Sequence, residues 1–292
     1  METKRVEQVV RPGVPHFVGD GFRVHGFIAN GTKLNMKVMD PFLVLDYNSK
    51  YSFPPSEIPK GVGAHPHKGF ETVTIAYKGK VEHADSSGGG GIIAEGDVQW
   101  MTAGAGILHK EFHETNWSKK GGEFQMVQLW VNLPKKDKLT SPKYQALKNA
   151  DFGRVPLTVG IGEVEVVAGT YAGISGPATT FSPVHIYNLR AKKGAKAAFS
   201  LPVDYTTMAL VIEGDVSIND NTDVPTDHLA LFERIGEQFT IEAKGDAVVL
   251  ILSGQPLREP IAQYGPFVMN TQQELTEAFE EFQTGKFGQL KD

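Results

Sequence analysis

The sequence contains no cysteine among its 292 residues. This absence excludes disulfides, thiolate metal sites, iron–sulfur clusters and cysteine nucleophiles together. No apolar run approaches the roughly 18–20 residues of a membrane span, and no apolar segment follows the charged N-terminus as in a secretory signal. We therefore expect a cytoplasmic protein without a membrane partner.

Positive charge is also scarce, because 29 Lys and Arg face 34 Asp and Glu for a net charge of −5. This balance argues against direct binding to nucleic acid. The apolar fraction of 40% is too high for a disordered chain. At roughly 150 residues per domain, the length allows two domains. The short basic run at 135–138 is interpreted as part of a solvated linker.

Long helical patterns are rare, whereas short apolar segments separated by Gly, Pro, Asn and Asp recur every 8 to 20 residues or so. This spacing predicts an all-β sandwich or barrel. The predicted strands are Phe42–Leu45, Glu71–Tyr77, Val98–Met101, Glu123–Leu133, Leu157–Ile161, Val164–Ala168, His185–Leu189, Thr207–Ile212 and Val248–Leu252.

One helix is predicted near the C-terminus. Thr271 and Glu274 have the spacing of a capping box, which marks a helix start. Gly285 is a suitable stop. The face at helical spacing between them consists of Leu275, Ala278, Phe279 and Phe282.

A weak internal repeat suggests how the chain is divided. The turns after apolar strands at 76–81 and 211–216 have related sequences, and the polar segment 135–151 lies between the two strand-rich halves. We predict an N-terminal domain at 1–134, a linker at 135–151 and a C-terminal domain at 152–292 that includes the helix. A single large sandwich is the alternative.

Histidine is concentrated in one part of the chain, where five of the nine residues lie between His65 and His113. Side chains two apart on a strand point the same way. His65 and His67 therefore share a face, and Glu71 joins them if the strand is continuous. His109, Glu111 and His113 likewise share a face. Three imidazoles and a carboxylate suit a divalent first-row metal, with two coordination positions left for substrate and dioxygen.

The same residues resemble cupin motifs. Gly61, His65, His67, Glu71 and Gly79 are spaced like the first motif, and Gly96-Asp97, Gly106 and His109 like the second. The longer segments HPHKGFETVTIAYKGKVEHADSSG and GDVQWMTAGAGILHKEFHE resemble the pirin family. The resemblance extends to 41–47, 128–134 and 266–288 and so covers most of the chain.

The resemblance implies two cupin (jelly-roll) β-barrel domains stacked face to face, with a C-terminal helix. It implies one Fe(II) per chain in the N-terminal domain, held by His65, His67, His109 and Glu111, although other divalent first-row metals are possible. The general cupin pattern would make Glu71 the carboxylate ligand. We follow the pirin motif, leave Glu71 to orient an imidazole or line the pocket, and expect His113 at the rim.

Two further features of the sequence concern the metal site. Pirins commonly have Ser between the last His and Glu, where this chain has Lys110, which by parity points away from the metal. The C-terminal half contains only His185 and His228, without a His-x-His pair, so we expect no metal there.

The resemblance implies a quercetin 2,3-dioxygenase as the first functional hypothesis. In it, the 3-hydroxyl of a flavonol binds the metal, Glu111 accepts its proton, and dioxygen opens the ring with loss of carbon monoxide. The alternative is an iron-dependent redox sensor that binds a transcription regulator or metabolic enzyme; a purely structural role is third. The expected partners are a small aromatic substrate and dioxygen, and the protein is expected to be a monomer.

Overall fold

Antiparallel β-sheet makes up most of the fold, as the turn-rich sequence predicts. The computed structural model describes residues 2–29 and 33–290. The first twelve strands are β1 (Val6–Val10), β2 (His16–Val18), β3 (Phe22–Ile28), β4 (Phe42–Phe53), β5 (Gly61–His67), β6 (Phe70–Lys78), β7 (Val81–Asp85), β8 (Gly90–Ile93), β9 (Val98–Thr102), β10 (Ile107–His113), β11 (Gly122–Asn132) and β12 (Lys143–Leu147).

The remaining strands are β13 (Gly153–Pro156), β14 (Gly162–Ala168), β15 (Thr170–Tyr171), β16 (Ile174–Ser175), β17 (Val184–Ala191), β18 (Lys196–Ser200), β19 (Thr206–Glu213), β20 (Val216–Ile218), β21 (Thr222–Val224), β22 (Leu229–Phe232), β23 (Gln238–Ala243), β24 (Ala247–Gly254), β25 (Ala262–Tyr264) and β26 (Phe267–Met269). The α-helices are α1 (Thr115–Lys120) and α2 (Gln272–Gln283), and short 3-10 helices span Lys135–Asp137 and Asn149–Asp151. No helix in the described part of the chain is long and apolar enough to span a membrane.

The chain forms two compact units. Unit N comprises Val14–Asn149 and Leu257–Asp292, and unit C comprises Met1–Gly13 and Ala150–Pro256. Each unit contains one sheet of seven strands and one of four, which is the double-sheet arrangement of a cupin jelly roll.

Unit N has the seven-stranded order β12-β9-β6-β11-β4-β3-β2 and the four-stranded order β5-β10-β7-β8. The buried residues of β10 alternate with half-buried ones, so Ile107, His109, Glu111 and His113 all face inward. This confirms the parity predicted for β10. The interior of unit N is therefore partly polar on the face of its smaller sheet.

Unit C has the seven-stranded order β1-β22-β19-β24-β17-β14-β13 and the four-stranded order β18-β23-β20-β21. Its interior is an apolar cluster in which the ring of Phe199 stacks on Phe239 at 5.1 Å. The rings of Tyr187 and Phe232 are part of the same buried cluster. Burial of these aromatic rings stabilises the unit.

Helix α2 begins and ends where the sequence predicts. The hydroxyl of Thr271 accepts from the Glu274 amide at 3.2 Å, and the Glu274 carboxylate accepts from the Thr271 amide at 2.9 Å. After the last turn, Gly285 adopts a left-handed conformation with φ of 77°. Leu275 and Ala278 are fully buried, whereas Phe282 is 38% exposed at the edge of the predicted face.

One predicted strand is wrong. Residues 157–161 form the connection between β13 and β14, which pair from Pro156 with Glu163. The amide of Leu157 donates to the Gly162 carbonyl at 3.0 Å and closes this hairpin. Gly160, with φ of 79°, turns the chain within an apolar segment that resembles a strand in sequence.

The structure also divides the chain differently from the predicted boundaries. The first thirteen residues belong to unit C, and the C-terminal segment with α2 belongs to unit N. The segment 135–151, predicted as a linker, contains β12, which pairs with β9 in the larger sheet of unit N. Its regular backbone bonds make it part of the domain.

Lys138 shows why a solvated linker is the wrong interpretation there. Its side chain is 2% exposed, and its Nζ donates to the carbonyl oxygens of Gly69 and Val268 and to Asn132 Oδ1 at 2.7–2.9 Å. Burial lowers the pKa of Lys138 to about 7. The side chain of Lys138 therefore links three segments of unit N through its hydrogen bonds to Gly69, Asn132 and Val268.

Candidate metal centre

The histidines of β5 and β10 meet because the two strands are adjacent and antiparallel. His65 lies directly opposite His109 in the register. The ring centroids are 4.2 Å apart for His65 and His109 and 4.8 Å apart for His67 and His109. One nitrogen from each ring lies within 4.8 Å of the others, so the three imidazoles form a group that could hold a metal ion.

The tautomers of two of these rings are set by backbone carbonyls. His65 Nδ1 lies 2.8 Å from the Gly63 carbonyl oxygen, and His67 Nδ1 lies 3.4 Å from that of Pro266. Because a carbonyl oxygen only accepts, each Nδ1 carries the proton. The lone pair is then left on Nε2, and this is how outer partners prepare a metal-binding histidine.

His109 provides the test of whether a cation fits. Its side chain is completely buried, and its Nε2 has no hydrogen-bond partner among the described residues. A buried nitrogen without a partner costs about 1–3 kcal/mol. A metal ion bound to this atom would satisfy it, and a donor set of imidazole nitrogens suits such an ion.

Burial keeps the rings of His67 and His109 neutral. Burial and, to a smaller extent, the neighbouring His65 lower the pKa of His67 to about 3. Burial also holds the pKa of His109 well below its usual value, together with the charges of the other imidazoles. Both rings are therefore unprotonated near neutral pH, which is the form that binds a metal.

Glu111 lies two residues after His109 on the same inward face. Its Oε1 accepts from Gln99 Nε2 at 3.1 Å and lies 3.3 Å from Thr74 Oγ1. Burial alone would raise the pKa of Glu111, but the His83 and Gln99 contacts and the nearby charges lower it overall. The side chain is thus ionised, and among the described residues Oε2 accepts no hydrogen bond.

The carboxylate of Glu111 does not join the three-histidine group directly. It forms a second group with His109 and His83, whose ligand atoms lie within the same 4.8 Å of one another. The structure therefore brings three of the predicted ligands together and places the fourth beside the histidine that both groups share.

His83 was not predicted as a site residue. It lies on β7 opposite Glu111, with Nδ1 3.8 Å from Glu111 Oε1 and Nε2 3.2 Å from Asp85 Oδ2. Burial lowers the pKa of His83, but the contacts with Asp85 and Glu111 raise it by more. The alternation in VEHAD, with Val81, His83 and Asp85 on one face, is the sequence signal that identifies it.

Glu71 lies apart from both groups. The expected shared face with His65 and His67 depends on one continuous strand, but the chain leaves β5 at His67 and begins β6 at Phe70 in the other sheet. Gly69 makes the turn with φ of 88°. Glu71 Oε1 instead accepts from Thr102 Oγ1 at 2.8 Å. It orients no imidazole among the described residues.

We predict that Glu71→Gln stabilises the protein at alkaline pH. Burial raises the pKa of Glu71 from 4.5 to about 7, so between these values the folded state binds more protons than the unfolded state. Wild-type stability therefore falls as the pH rises through 7, and the variant avoids a loss on the order of 3 kcal/mol. Urea unfolding of both proteins at pH 4 and pH 8 measures the difference; equal changes with pH would contradict the assignment.

His113 has a structural role instead of the expected position at the rim. It is 2% exposed, and its Nε2 donates to the Gly21 carbonyl at 2.8 Å. Its ring packs against the aromatic rings of the core, at 4.6 Å from Phe53 and 4.7 Å from Phe124. It belongs to neither donor group.

The two histidines of unit C have local partners. His185 Nδ1 lies 2.9 Å from the Tyr187 hydroxyl, and His228 Nδ1 lies 2.9 Å from the Thr226 carbonyl oxygen. Both donor groups found among the described residues are in unit N.

Comparisons with family models and with known proteins agree on one family. The model described as Pirin matches residues 21–131, and that described as Pirin C-terminal cupin domain matches 186–288. A Pseudomonas aeruginosa protein named as a proposed quercetin 2,3-dioxygenase is 47% identical over 93% of this chain and 94% of its own length. Pirin-1 of Arabidopsis thaliana is 37% identical over 89% of this chain and 88% of its own.

A solved structure agrees with both. The crystal structure of quercetin 2,3-dioxygenase from Acinetobacter baumannii is 47% identical and superposes with a TM-score of 0.91, covering 98% of this chain and 99% of that one.

Proposed function

Because the chain belongs to the pirin family, we propose that it is a metal-dependent dioxygenase that cleaves flavonols such as quercetin. The observation that carries this proposal is the group of three imidazoles that includes His109, whose buried Nε2 has no hydrogen-bond partner among the described residues. The 47% identity to proteins named for quercetin 2,3-dioxygenase activity supports the choice of substrate. We propose Fe(II) as the metal.

The residues proposed to hold the metal are His65, His67, His109 and Glu111. When bound, the cation would lower the pKa of a hydroxyl that coordinates it and would bring the substrate and dioxygen together. In the overall reaction both atoms of dioxygen enter the cleaved product, and one ring carbon leaves as carbon monoxide.

Glu111 is the proposed base. Its ionised carboxylate, with Oε1 fixed by Gln99, is suited to accept the proton of the flavonol 3-hydroxyl. Burial strengthens this interaction because little water competes for the carboxylate.

An apolar wall adjoins the cluster on the side of His67. The indole of Trp130 lies edge-on to the His67 ring at 5.0 Å and stacks on Phe70 at 4.2 Å. Met36 and Ile261 pack in the same cluster. The partly exposed members of this cluster, Trp130 and Ile261, can contact a planar aromatic substrate and exclude water from the reacting atoms.

The proposed activity is tested by loading the protein with Fe(II) without oxygen and then adding quercetin in air. We expect the flavonol absorbance to disappear and carbon monoxide to be released in equal amount, with the metal-free protein as control. Fully bound iron with neither change would overturn the proposal.

Variants of Glu111 and Glu71 test which of the two carboxylates binds the metal. We expect Glu111→Gln to lower the iron content of purified protein, because it removes the anionic oxygen beside His109. Glu71→Gln should keep the wild-type content, because Glu71 is bonded to Thr102. Metal analysis of both variants decides; a greater loss in Glu71→Gln would favour the general cupin arrangement.

A further inference from the structure

His83 connects the two members of the metal cluster that lie on β10. Its Nδ1 is 3.5 Å from Nδ1 of His109 and 3.8 Å from Oε1 of Glu111. Strand β7 runs antiparallel to β10, so Asp85 lies opposite His109 and His83 opposite Glu111. The side chains of these four residues are therefore adjacent on the inner face of the smaller sheet of unit N.

The ring of His83 is fixed on two further sides. Asp85 Oδ2 holds its Nε2 at 3.2 Å, and the ring stacks on Tyr144 with centroids 5.2 Å apart and planes 17° apart. Both His83 and Asp85 have side chains with no exposed surface. A histidine held at one nitrogen and on one face has little freedom to rotate.

Asp85 is in turn fixed by the glycine-rich loop at 86–91. Its Oδ1 accepts from the amides of Ser87 and Gly89 at 2.9 and 3.0 Å and from the Ser87 hydroxyl at 2.6 Å. Gly89 has to be glycine, because a Cβ there would lie 2.4 Å from Asp85 Oδ2 and 2.7 Å from Tyr144 Cβ. The loop at 86–91 thus fixes the Asp85 carboxylate, which in turn contacts Nε2 of His83.

The contact with His109 determines which nitrogen faces the metal. A carboxylate only accepts, so the Nε2 of His83 that faces Asp85 carries a proton. Nδ1 of His109 lies 3.5 Å from Nδ1 of His83, so the partnerless Nε2 of His109 is the nitrogen left for a cation.

We propose that His83, anchored by Asp85, is the positioning residue that orients His109 and Glu111 for metal binding. This inference rests on the metal site proposed above. His83 contacts Nδ1 of His109, as the backbone carbonyls of Gly63 and Pro266 contact Nδ1 of His65 and His67. Such outer partners typically contribute 10- to 100-fold to metal affinity.

The test is calorimetric titration of the metal-free protein with Ni(II), which imidazole ligands bind well. We expect His83→Phe, which keeps a ring against Tyr144, to weaken Ni(II) binding about 10- to 100-fold. Asp85→Asn is the second variant, in case the first does not fold, and should weaken binding about tenfold or more. His113→Phe, on the same strand as His109 but outside both groups, is the matched control and should bind like the wild type.

X-ray absorption of the Ni(II)-saturated proteins then separates positioning from ligation. We expect the same number of coordinated imidazoles in His83→Phe as in the wild type. One imidazole fewer would mean that His83 is itself a ligand and would overturn the proposal, as would wild-type affinity in both folded variants. If the wild type binds no Ni(II), the metal site and this inference fail together; if it binds and the variants match it, only this inference fails.

Discussion

Replacement of His67 by alanine is expected to abolish both metal binding and flavonol cleavage. The substitution removes one of the three imidazoles and leaves His109 with a single histidine neighbour in that group. The loss should exceed the roughly 10- to 100-fold that removal of an outer partner causes. The fold should persist, because among the described residues the His67 ring makes a single long hydrogen bond, of 3.4 Å, to the Pro266 carbonyl.

Metal content and quercetin turnover of His67→Ala are the measurements, with circular dichroism as a check on folding. His185→Ala provides the matched control, since it removes a partly buried histidine of unit C that lies outside both donor groups. The control should retain wild-type metal content and activity. Metal bound at full stoichiometry in His67→Ala would contradict the assigned site.

Substitution of Gly61 by alanine is expected to destabilise the protein strongly and to weaken metal binding. A Cβ at Gly61 would lie 2.1 Å from the Glu111 carbonyl oxygen and 2.6 Å from Phe112 Cα. These are backbone atoms of β10, which cannot rotate away, so β5 would have to move from β10. Overpacking typically costs about 1–3 kcal/mol, and we expect the upper end of this range here because backbone atoms have to move. The shift of β5 would also separate His65 from His109.

Gly63 offers the control on the same strand, because a Cβ there meets no atom within 4 Å. We expect Gly63→Ala to match the wild type in urea unfolding and in Ni(II) affinity. Gly61→Ala should unfold at a lower urea concentration and bind Ni(II) more weakly. Equal stability of the two variants would show that β5 can move without cost, and the explanation of the glycine that opens the first cupin motif would be wrong.

Patterns confined to one element could be predicted from the sequence. The inward face of β10 follows from alternation within seven residues, and the start of α2 follows from the Thr271 and Glu274 pair. In both cases the controlling interactions lie within a few residues of each other. The family resemblance supplied the cupin fold, which the comparisons confirm.

Features that depend on distant contacts could not be predicted in this way. Glu71 has the parity of His67, but Gly69 moves the chain to the other sheet between them. Gly69 has to be glycine because a Cβ would lie 2.0 Å from the Val268 carbonyl oxygen, about 200 positions away in the chain. The same C-terminal segment supplies the carbonyl that faces His67. Parity cannot reveal such contacts.

The central claim is that one metal ion binds at the histidines of β5 and β10. The most direct measurement is an anomalous difference map from crystals of the metal-loaded protein, collected at the absorption edge of the metal. We predict a single peak roughly 2.0–2.2 Å from nitrogens of His65, His67 and His109 and from an oxygen of Glu111. A peak elsewhere, or none at full metal loading in solution, would contradict the account.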